Sequence, residues 1–106
     1  MNSINIARDF SIYPGGRTPD DGPASGEEFR EHFLVPVLDA SGKATIDFDG
    51  TRGYGSSFLE EAFGGLVRRG YLKDLIISTF IFVSKKQSVI DEIKRYIDEE
   101  QQRVAQ

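Results

Sequence analysis

The sequence contains no cysteine and one histidine in 106 residues. The absence of cysteine excludes disulfides, thiolate zinc sites and cysteine nucleophiles. His32 has no second histidine or cysteine with which to form a ligand cluster, so we predict neither a metal site nor a bound cofactor. No apolar run reaches the roughly 18 residues of a membrane span. The N-terminus lacks the basic and apolar regions of a signal peptide, and we therefore expect a cytoplasmic location without membrane contact.

The length and charge of the chain limit the number of domains and the kinds of partner that we expect. A chain of 106 residues has room for one domain, residues 1–106, and can bury roughly 65% of its unfolded surface in a single core. The net charge is −4, and the basic residues are scattered along the sequence. A surface that follows nucleic-acid phosphates is therefore not expected.

The stretch ATIDFDGTRGYGSSFLEEAFGGLV is the centre of the predicted fold. Residues Ala44–Asp49 alternate between apolar and polar side chains, which predicts a half-buried strand. A glycine-rich turn, Gly50–Gly55, follows it. A helix then begins at Ser56 or Ser57, because Ser57 and Glu60 have the spacing of a capping box. The apolar residues of this helix recur at helical spacing and predict one buried stripe: Leu59, Ala62, Phe63, Leu66 and Val67.

The residues before this stretch predict a strand, a loop and a helix. Asn2–Ala7 is typical of a short strand, which Phe10–Tyr13 either extends or follows as a second one. Pro14–Ala24 is rich in proline and glycine and predicts a mobile loop. Ser25 and Glu28 form a second capping box, which predicts the start of a helix. Pro36 should kink or stop that helix.

The residues after it predict a strand and a last helix. Leu75–Val83, with the sequence LIISTFIFV, is the most apolar run and predicts a buried strand, with a break near Thr79 left open. The last helix starts at about Ser88, and residues 100–106 form a polar tail. The predicted order is β, loop, α, β, α, β, α. This order gives an α/β fold with a small mixed sheet and helices packed on it.

Candidate chemical groups are few. A serine nucleophile at position 56 or 57 has no general base in the sequence, so we predict no catalytic residues and no enzyme activity. Asp47 and Asp49 share one face of the central strand, where they either hold a cation or cap the following loop. Arg17, after Gly15 and Gly16, is a candidate contact for an anion or a partner, or else a surface arginine in a turn.

Residues 46–59, IDFDGTRGYGSSFL, resemble the central motif of STAS domains, the anti-sigma-factor-antagonist fold. The resemblance places the phosphorylated serine of that family at Ser56, with Ser57 beside it and Leu59 at the motif leucine. The motif aspartate is Gly55 here and the motif glycine is Phe58. The wider pattern, with INIARDFS, PGGR, SGEEFRE and GYGSSFLEEAFGGLV, resembles the STAS-like domains of unknown function found in bacteria and their mobile elements.

The resemblance implies a regulatory module that binds a protein partner, of the serine-kinase or histidine-kinase-like ATPase type. Its interaction surface would comprise Gly53, Tyr54, Gly55, Ser56, Ser57 and Arg17, with Ser56 and Ser57 as phosphoacceptor candidates. An alternative is a sensor of a small ligand, such as a phosphate or a nucleotide, that uses the glycine-rich turn.

Overall fold

A computed structural model of the chain describes residues 2–105. Two of its helices are continuous over three segments, each with a central π-helical part. Helix α2 (26–39) comprises Gly26–Phe29, Arg30–Leu34 and Val35–Asp39, and α3 (56–68) comprises Ser56–Leu59, Glu60–Gly64 and Gly65–Arg68. The other elements are β1 (Asn2–Asn5), α1 (Ile6–Asp9), a 3₁₀ turn (Pro19–Asp21), β2 (Ala44–Asp47), α4 (Lys73–Thr79), β3 (Phe80–Val83) and α5 (Gln87–Val104).

Within the described residues the sheet has three strands in the order β1-β2-β3. Both pairs are parallel, with Asn2 opposite Ala44 and Ala44 opposite Phe80. The α/β class and the small sheet are confirmed, whereas the mixed character that we predicted is wrong. Each strand is joined to the next through helices, and such crossover connections produce parallel pairs.

The register gives the sheet one apolar face and one open face. Ile4, Ala44, Ile46 and Phe80 point into the core and are buried. The opposite face carries polar side chains on β1 and β2 and apolar ones on β3. Its members are Ser3, Asn5, Thr45, Asp47, Ile81 and Val83, all partly or fully exposed. The helices therefore pack mainly on one side of the sheet.

Helix α3 lies on the apolar face, as the sequence predicts. Its predicted stripe, Leu59, Ala62, Phe63, Leu66 and Val67, is buried in full. Phe63 is completely inaccessible, and its ring lies 5.8 Å from that of Phe48 on the β2 side and 5.6 Å from that of Phe82 in β3. Edge and tilted ring contacts at such distances are favourable beyond their buried area. Phe63 therefore joins α3 to two of the strands.

The apolar run Leu75–Val83 is two elements rather than one strand. Residues up to Thr79 belong to α4, and only Phe80–Val83 pairs with β2. In α4, Ile76 is buried while Leu75 and Ile77 are exposed, so the helical part of the run presents a single apolar position to the core. A continuous apolar run does not distinguish a strand from a helix. The break left open near Thr79 is present.

The first strand is shorter than predicted, and no strand follows it. Asn5 caps a helical turn, because its side-chain oxygen accepts from the Arg8 amide at 2.8 Å and its own amide donates to Asp9 at 2.9 Å. Such a cap ends the strand after four residues. Residues 10–13 consequently lie in a turn and loop, which corrects the prediction for Phe10–Tyr13.

Helix α2 begins as predicted and ends later than predicted. The Ser25 hydroxyl accepts from the Glu28 amide at 3.3 Å, and the Ser25 amide donates to the Glu28 carboxylate at 3.2 Å, which confirms the capping box. Pro36 does not stop the helix, which continues to Asp39. The π-helical turn just before Pro36 widens the spiral where the proline cannot donate a hydrogen bond.

A glycine sets the distance between α2 and α3. A Cβ atom at Gly26 would lie 2.6 Å from the Phe58 carbonyl oxygen and 3.1 Å from the Ala62 nitrogen. Real Cβ contacts are longer than this, so the two backbones approach more closely than any side chain at position 26 would permit. The start of α2 therefore packs directly on the first turns of α3.

Backbone hydrogen bonds tie the loop 14–24 together and connect it to the start of α2. The Gly15 amide donates to the Ala24 carbonyl at 2.9 Å, and the Gly26 amide to the Gly16 carbonyl at 2.9 Å. Mobility of the loop stays a prediction.

Residues 100–104 of the predicted tail lie in α5, with Glu100 buried, while Gln106 is outside the described residues. No helix in residues 2–105 is long and apolar enough to cross a membrane.

Replacing Phe63 by alanine should lower the free energy of unfolding by about 3 to 5 kcal/mol, because it removes a fully buried ring between α3 and the sheet. Chemical denaturation measures the loss. Leu72→Ala is the matched control, since that side chain is 65% exposed and its loss should change stability by less than about 0.5 kcal/mol. A loss below about 1 kcal/mol for Phe63→Ala would contradict the packing described here.

Candidate functional site

The glycine-rich turn lies at the edge of the sheet where the parallel strands end. Asp49 follows β2, and its carboxylate accepts from the Lys85 amide, just after β3, at 3.0 Å. The Asn5 side-chain amide donates to the Asp49 carbonyl at 3.1 Å, so the end of β1 is tied to the same place. Ligand sites in open parallel sheets lie outside the carboxyl ends of the strands. The turn therefore occupies the edge where a site is expected.

Tyr54 anchors the turn to the core. Its hydroxyl donates to the Phe48 carbonyl at 2.6 Å, and its ring stacks on Phe58 with 6.0 Å between the centroids. Burial of the phenol raises the pKa of Tyr54 to about 12, so the hydroxyl remains a neutral donor at physiological pH. Tyr54 is thus a fixed part of the predicted interaction surface, and Gly53 and Gly55 beside it are exposed.

Helix α3 begins at Ser56, and the predicted capping box of Ser57 and Glu60 does not form. Gly55 is the N-cap residue, and no side chain caps the helix. A glycine at this position has no oxygen to offer, and Glu60 turns to arginine side chains instead. Ser56 is exposed and Ser57 partly exposed. The first turn of α3 carries no acidic residue, which leaves its positive end free of a fixed counter-charge.

Arg17 lies against α3 rather than free in its loop. Its guanidinium donates to Glu60 at 2.6 Å and to Glu61 at 3.2 Å, one helical turn beyond Ser56 and Ser57. The structure therefore brings Arg17 to the same helix as the two serines and gives it a structural ion pair. The 45% exposure of its side chain leaves one side of the guanidinium accessible.

The contacts of Glu60 and Glu61 extend into a network across three helices. Arg30, with its side chain 9% exposed, donates to the Glu61 carboxylate at 2.6 Å and to the Glu61 carbonyl at 2.7 Å. Arg68 donates to Glu60 at 2.8 Å and to Glu100 of α5 at 2.7 Å. The sequence does not predict this network, because partners from different helices are not visible in a linear pattern.

The glycine pair 64–65 makes room for this network. A Cβ at Gly65 would lie 2.3 Å from an Arg30 nitrogen, and one at Gly64 would lie 2.4 Å from a Glu60 oxygen. The neighbour of Gly65 is the buried guanidinium of Arg30, which occupies the space that a side chain would take.

The arginines of the network lower the pKa values of two carboxylates, Glu60 and Glu31. Hydrogen bonds from Arg68, and then from Arg17, hold the pKa of Glu60 below its usual value. The bond from Arg69 does the same for the pKa of Glu31, with a further bond from Arg30. A carboxylate whose charged form is stabilised in the folded state makes stability depend on pH.

Asp47 and Asp49 have loop-capping positions. The Asp47 carboxylate accepts from the Asp49 amide at 2.9 Å, and the Asp49 carboxylate accepts from the Lys85 amide. These bonds support the second of the two roles left open by the sequence. Among residues 2–105 no group of three or more side chains is arranged as metal ligands.

A cleft of about 770 Å³ opens beside the turn, between residues 48–54 and the segment that leads from β3 into α5. The turn contributes Arg52 and Tyr54 to its wall, and the other side contributes Lys85, Lys86 and Ser88. Ser56 and Ser57 do not line it. The sequence reasoning missed this cleft, because the two lysines are more than thirty positions from the turn and only the parallel order of β2 and β3 brings them together.

Comparison with known proteins identifies the family. Residues 25–90 match the family model described as STAS-like domain of unknown function (DUF4325). The matched residues make up more than half of the chain, and the chain belongs to this family. No curated protein and no solved structure matched it. Membership suggests a regulatory module, since STAS-like domains are generally non-enzymatic.

The two predicted capping serines should differ in their effect on stability. Ser25→Ala removes a buried cap and should cost about 1 to 2 kcal/mol. Ser57→Ala removes no cap and should change the free energy of unfolding by less than about 0.5 kcal/mol. Urea denaturation of the two variants beside the parent measures both changes. Equal losses at the two positions would mean that Ser57 also caps its helix.

Glu60→Gln should destabilise the protein at pH 7 and have less effect in acid. The folded-state pKa of Glu60 is lowered, so its contribution is present above the unfolded pKa of roughly 4.3 and is lost as the pH falls through the folded value. The difference in unfolding free energy between parent and variant should therefore shrink from about pH 5 downwards. Glu99→Gln, at an exposed position of α5, is the control. A difference that stays constant down to about pH 3 would contradict the linkage.

Proposed function

We propose that this domain is a regulatory module that binds a protein partner through the surface of Gly53, Tyr54, Gly55, Ser56 and Ser57, with Arg17 at its border. Phosphorylation of Ser56 by a serine-kinase or histidine-kinase-like ATPase switches the binding. A cytoplasmic location goes with such a partner. The observation that carries the proposal is the exposed hydroxyl of Ser56 on the uncapped first turn of α3.

The helix start favours a phosphoryl group. The first amides of a helix have no partner within it, and the macrodipole places a partial positive charge there. A phosphate on Ser56 would add nearly two negative charges to a turn that has no acidic residue. Ser56 and Glu60 are four residues apart and share one side of the helix, so Arg17 is one turn away. A phosphoserine would compete with Glu60 for that guanidinium, which gives the modification a way to change the surface.

The proposed function requires no catalytic group on the domain itself. The kinase supplies the chemistry, and the domain supplies an accessible hydroxyl on a rigid support. Tyr54 fixes the turn through its bond to the Phe48 carbonyl, so a partner meets a preformed shape. Gly55, at the position of the motif aspartate, sits at the N-cap and leaves the hydroxyl of Ser56 uncovered.

The proposal predicts that Ser56→Asp changes partner binding and that Ser56→Ala prevents phosphorylation. Mass spectrometry of the protein isolated from its native cells would locate phosphate, and affinity capture with the variants would compare the partners retained. We expect phosphate on Ser56 and a change of at least about tenfold in the recovery of one partner with Ser56→Asp.

Ser3→Asp is the matched control, because Ser3 is exposed on the open face of the sheet, away from α3. It adds the same charge and should leave the partners unchanged. The phospho-switch is wrong if Ser56→Asp, Ser56→Ala and Ser57→Ala all retain the partners of the parent. A docking surface without a switch would then remain, and Tyr54→Ala would test it by the same capture.

A further inference from the structure

Three of the side chains that line the cleft beside the turn are cationic and form no ion pair with a carboxylate of the described residues. Arg52, Lys85 and Lys86 line it, and none of them is in an ion pair within the described part of the chain. Other cations in the structure are mostly neutralised. Those paired with acids are Arg8, Arg17, Arg30, Arg68, Arg69, Lys73 and Arg103. Among the described residues, three of the six cations without an ion pair therefore line one concave surface of a protein whose net charge is −4, and the other three are Lys43, Lys94 and Arg95.

The carboxylates of the cleft are already engaged. Asp49 accepts from the Lys85 amide, and Glu92 accepts from the Tyr96 hydroxyl at 2.6 Å. Three cationic side chains thus face two carboxylates that have hydrogen-bond donors of their own. The lining residues therefore carry three positive and two negative charges, and this net charge of +1 makes the field in the cleft positive.

The start of α5 adds to this field. The helix has 18 residues and begins at Gln87, beside the two lysines. Its N-cap residue, Lys86, makes no side-chain capping bond, and its first turn carries no acidic residue. The partial positive charge of the helix end therefore points in the same sense as the lysine ammonium groups. Ser88 places a hydroxyl in the same wall.

The size of the cleft and the apolar side chains at its floor indicate a ligand larger than an inorganic ion. A volume of about 770 Å³ is within the range of about 300 to 1,000 Å³ that is usual for small-molecule sites. Leu59 and Val89 provide an apolar floor, and the half-buried ring of Tyr54 lies at its side. A ligand with one charged end and one flat or apolar part matches both halves of this surface.

We propose that the cleft binds a small phosphorylated molecule, with its phosphate held by Lys85 and Lys86 and its uncharged part against Tyr54 and Val89. This site shares Gly53 and Tyr54 with the proposed docking surface but includes neither Ser56 nor Ser57. The structure favours a small molecule over a phosphorylated peptide because the cations lie inside a bounded cleft rather than along an extended groove.

Amide chemical shifts of the full chain, recorded by NMR at constant ionic strength, test the proposal. The probes are inorganic phosphate, a nucleoside 5′-monophosphate and the same nucleoside without phosphate. We expect shifts confined to residues 48–54 and 84–92, with the monophosphate bound more tightly than either of its parts. The double variant Lys85→Gln/Lys86→Gln should bind the monophosphate at least about tenfold more weakly.

Lys94→Gln/Arg95→Gln is the matched control, because it removes two exposed cations of α5 that lie outside the cleft. It should retain the parent affinity within about twofold. The proposal is overturned if both double variants lose affinity equally, if the first binds like the parent, or if no probe shifts the cleft residues. Tighter binding of a phosphoserine peptide, with shifts extending beyond the cleft, would refute the small-molecule class. Retained spectral dispersion in each variant confirms that it is folded.

Discussion

The buried guanidinium of Arg30 is the constraint on which the arrangement of the helices depends. Only 7% of this residue is exposed, and a cation at such a depth is costly unless it is paired and hydrogen-bonded. Glu61 of α3 supplies both a carboxylate and a backbone carbonyl to it, and Gly65 supplies the space. These three groups come together only in one register of α2 against α3. Removing one partner of a buried pair generally costs about 3 to 5 kcal/mol, so the pair opposes any other register.

The same interaction connects the periphery to the core. Glu61 and its neighbour Glu60 also receive Arg17 from the first loop and Arg68, which reaches Glu100 in α5. The loop, two central helices and the last helix are consequently joined through one set of charges. Both π-helical segments lie in this region, Arg30–Leu34 and Glu60–Gly64. A widened turn frees backbone carbonyls from the regular helical pattern, and the Glu61 carbonyl is one that a side chain then uses.

Local signals in the sequence were sufficient for part of the fold. The Ser25 box, the strand that starts at Ala44 and the stripe of α3 each depend on neighbouring residues, and the structure confirms them, although the strand ends at Asp47 rather than at Asp49. The run LIISTFIFV predicts a buried strand, with a break near Thr79 left open, because hydrophobicity alone does not show which residues face the core. The prediction of a mixed sheet is wrong although the predicted order places a helix between successive strands, and such connections favour parallel pairs. The predicted capping role of Ser57 failed since Glu60 had stronger partners elsewhere in the chain.

The candidate site also has a part that the sequence predicts and a part that it does not. The turn and Ser56 were located from the sequence, since glycines and a following apolar stripe mark a strand-turn-helix unit. The sequence does not indicate the lysines of the cleft, because their neighbourhood depends on the parallel pairing of β2 with β3. Arg17 was identified as a contact residue, but its partners, Glu60 and Glu61, lie more than forty positions away. Sequence therefore indicated the residues of the surface better than it indicated their neighbours.

The close approach at Gly26 has a consequence for how this fold can vary. Ser25 and Gly26 are adjacent, and each is restricted for a different reason: one by the hydrogen bonds of a cap, the other by the absence of space beside the Phe58 carbonyl. Gly15, eleven positions earlier, has no atom within 4 Å of a Cβ position and is free of the second restriction. A mutational library of this domain would therefore tolerate side chains at position 15 and reject them at position 26.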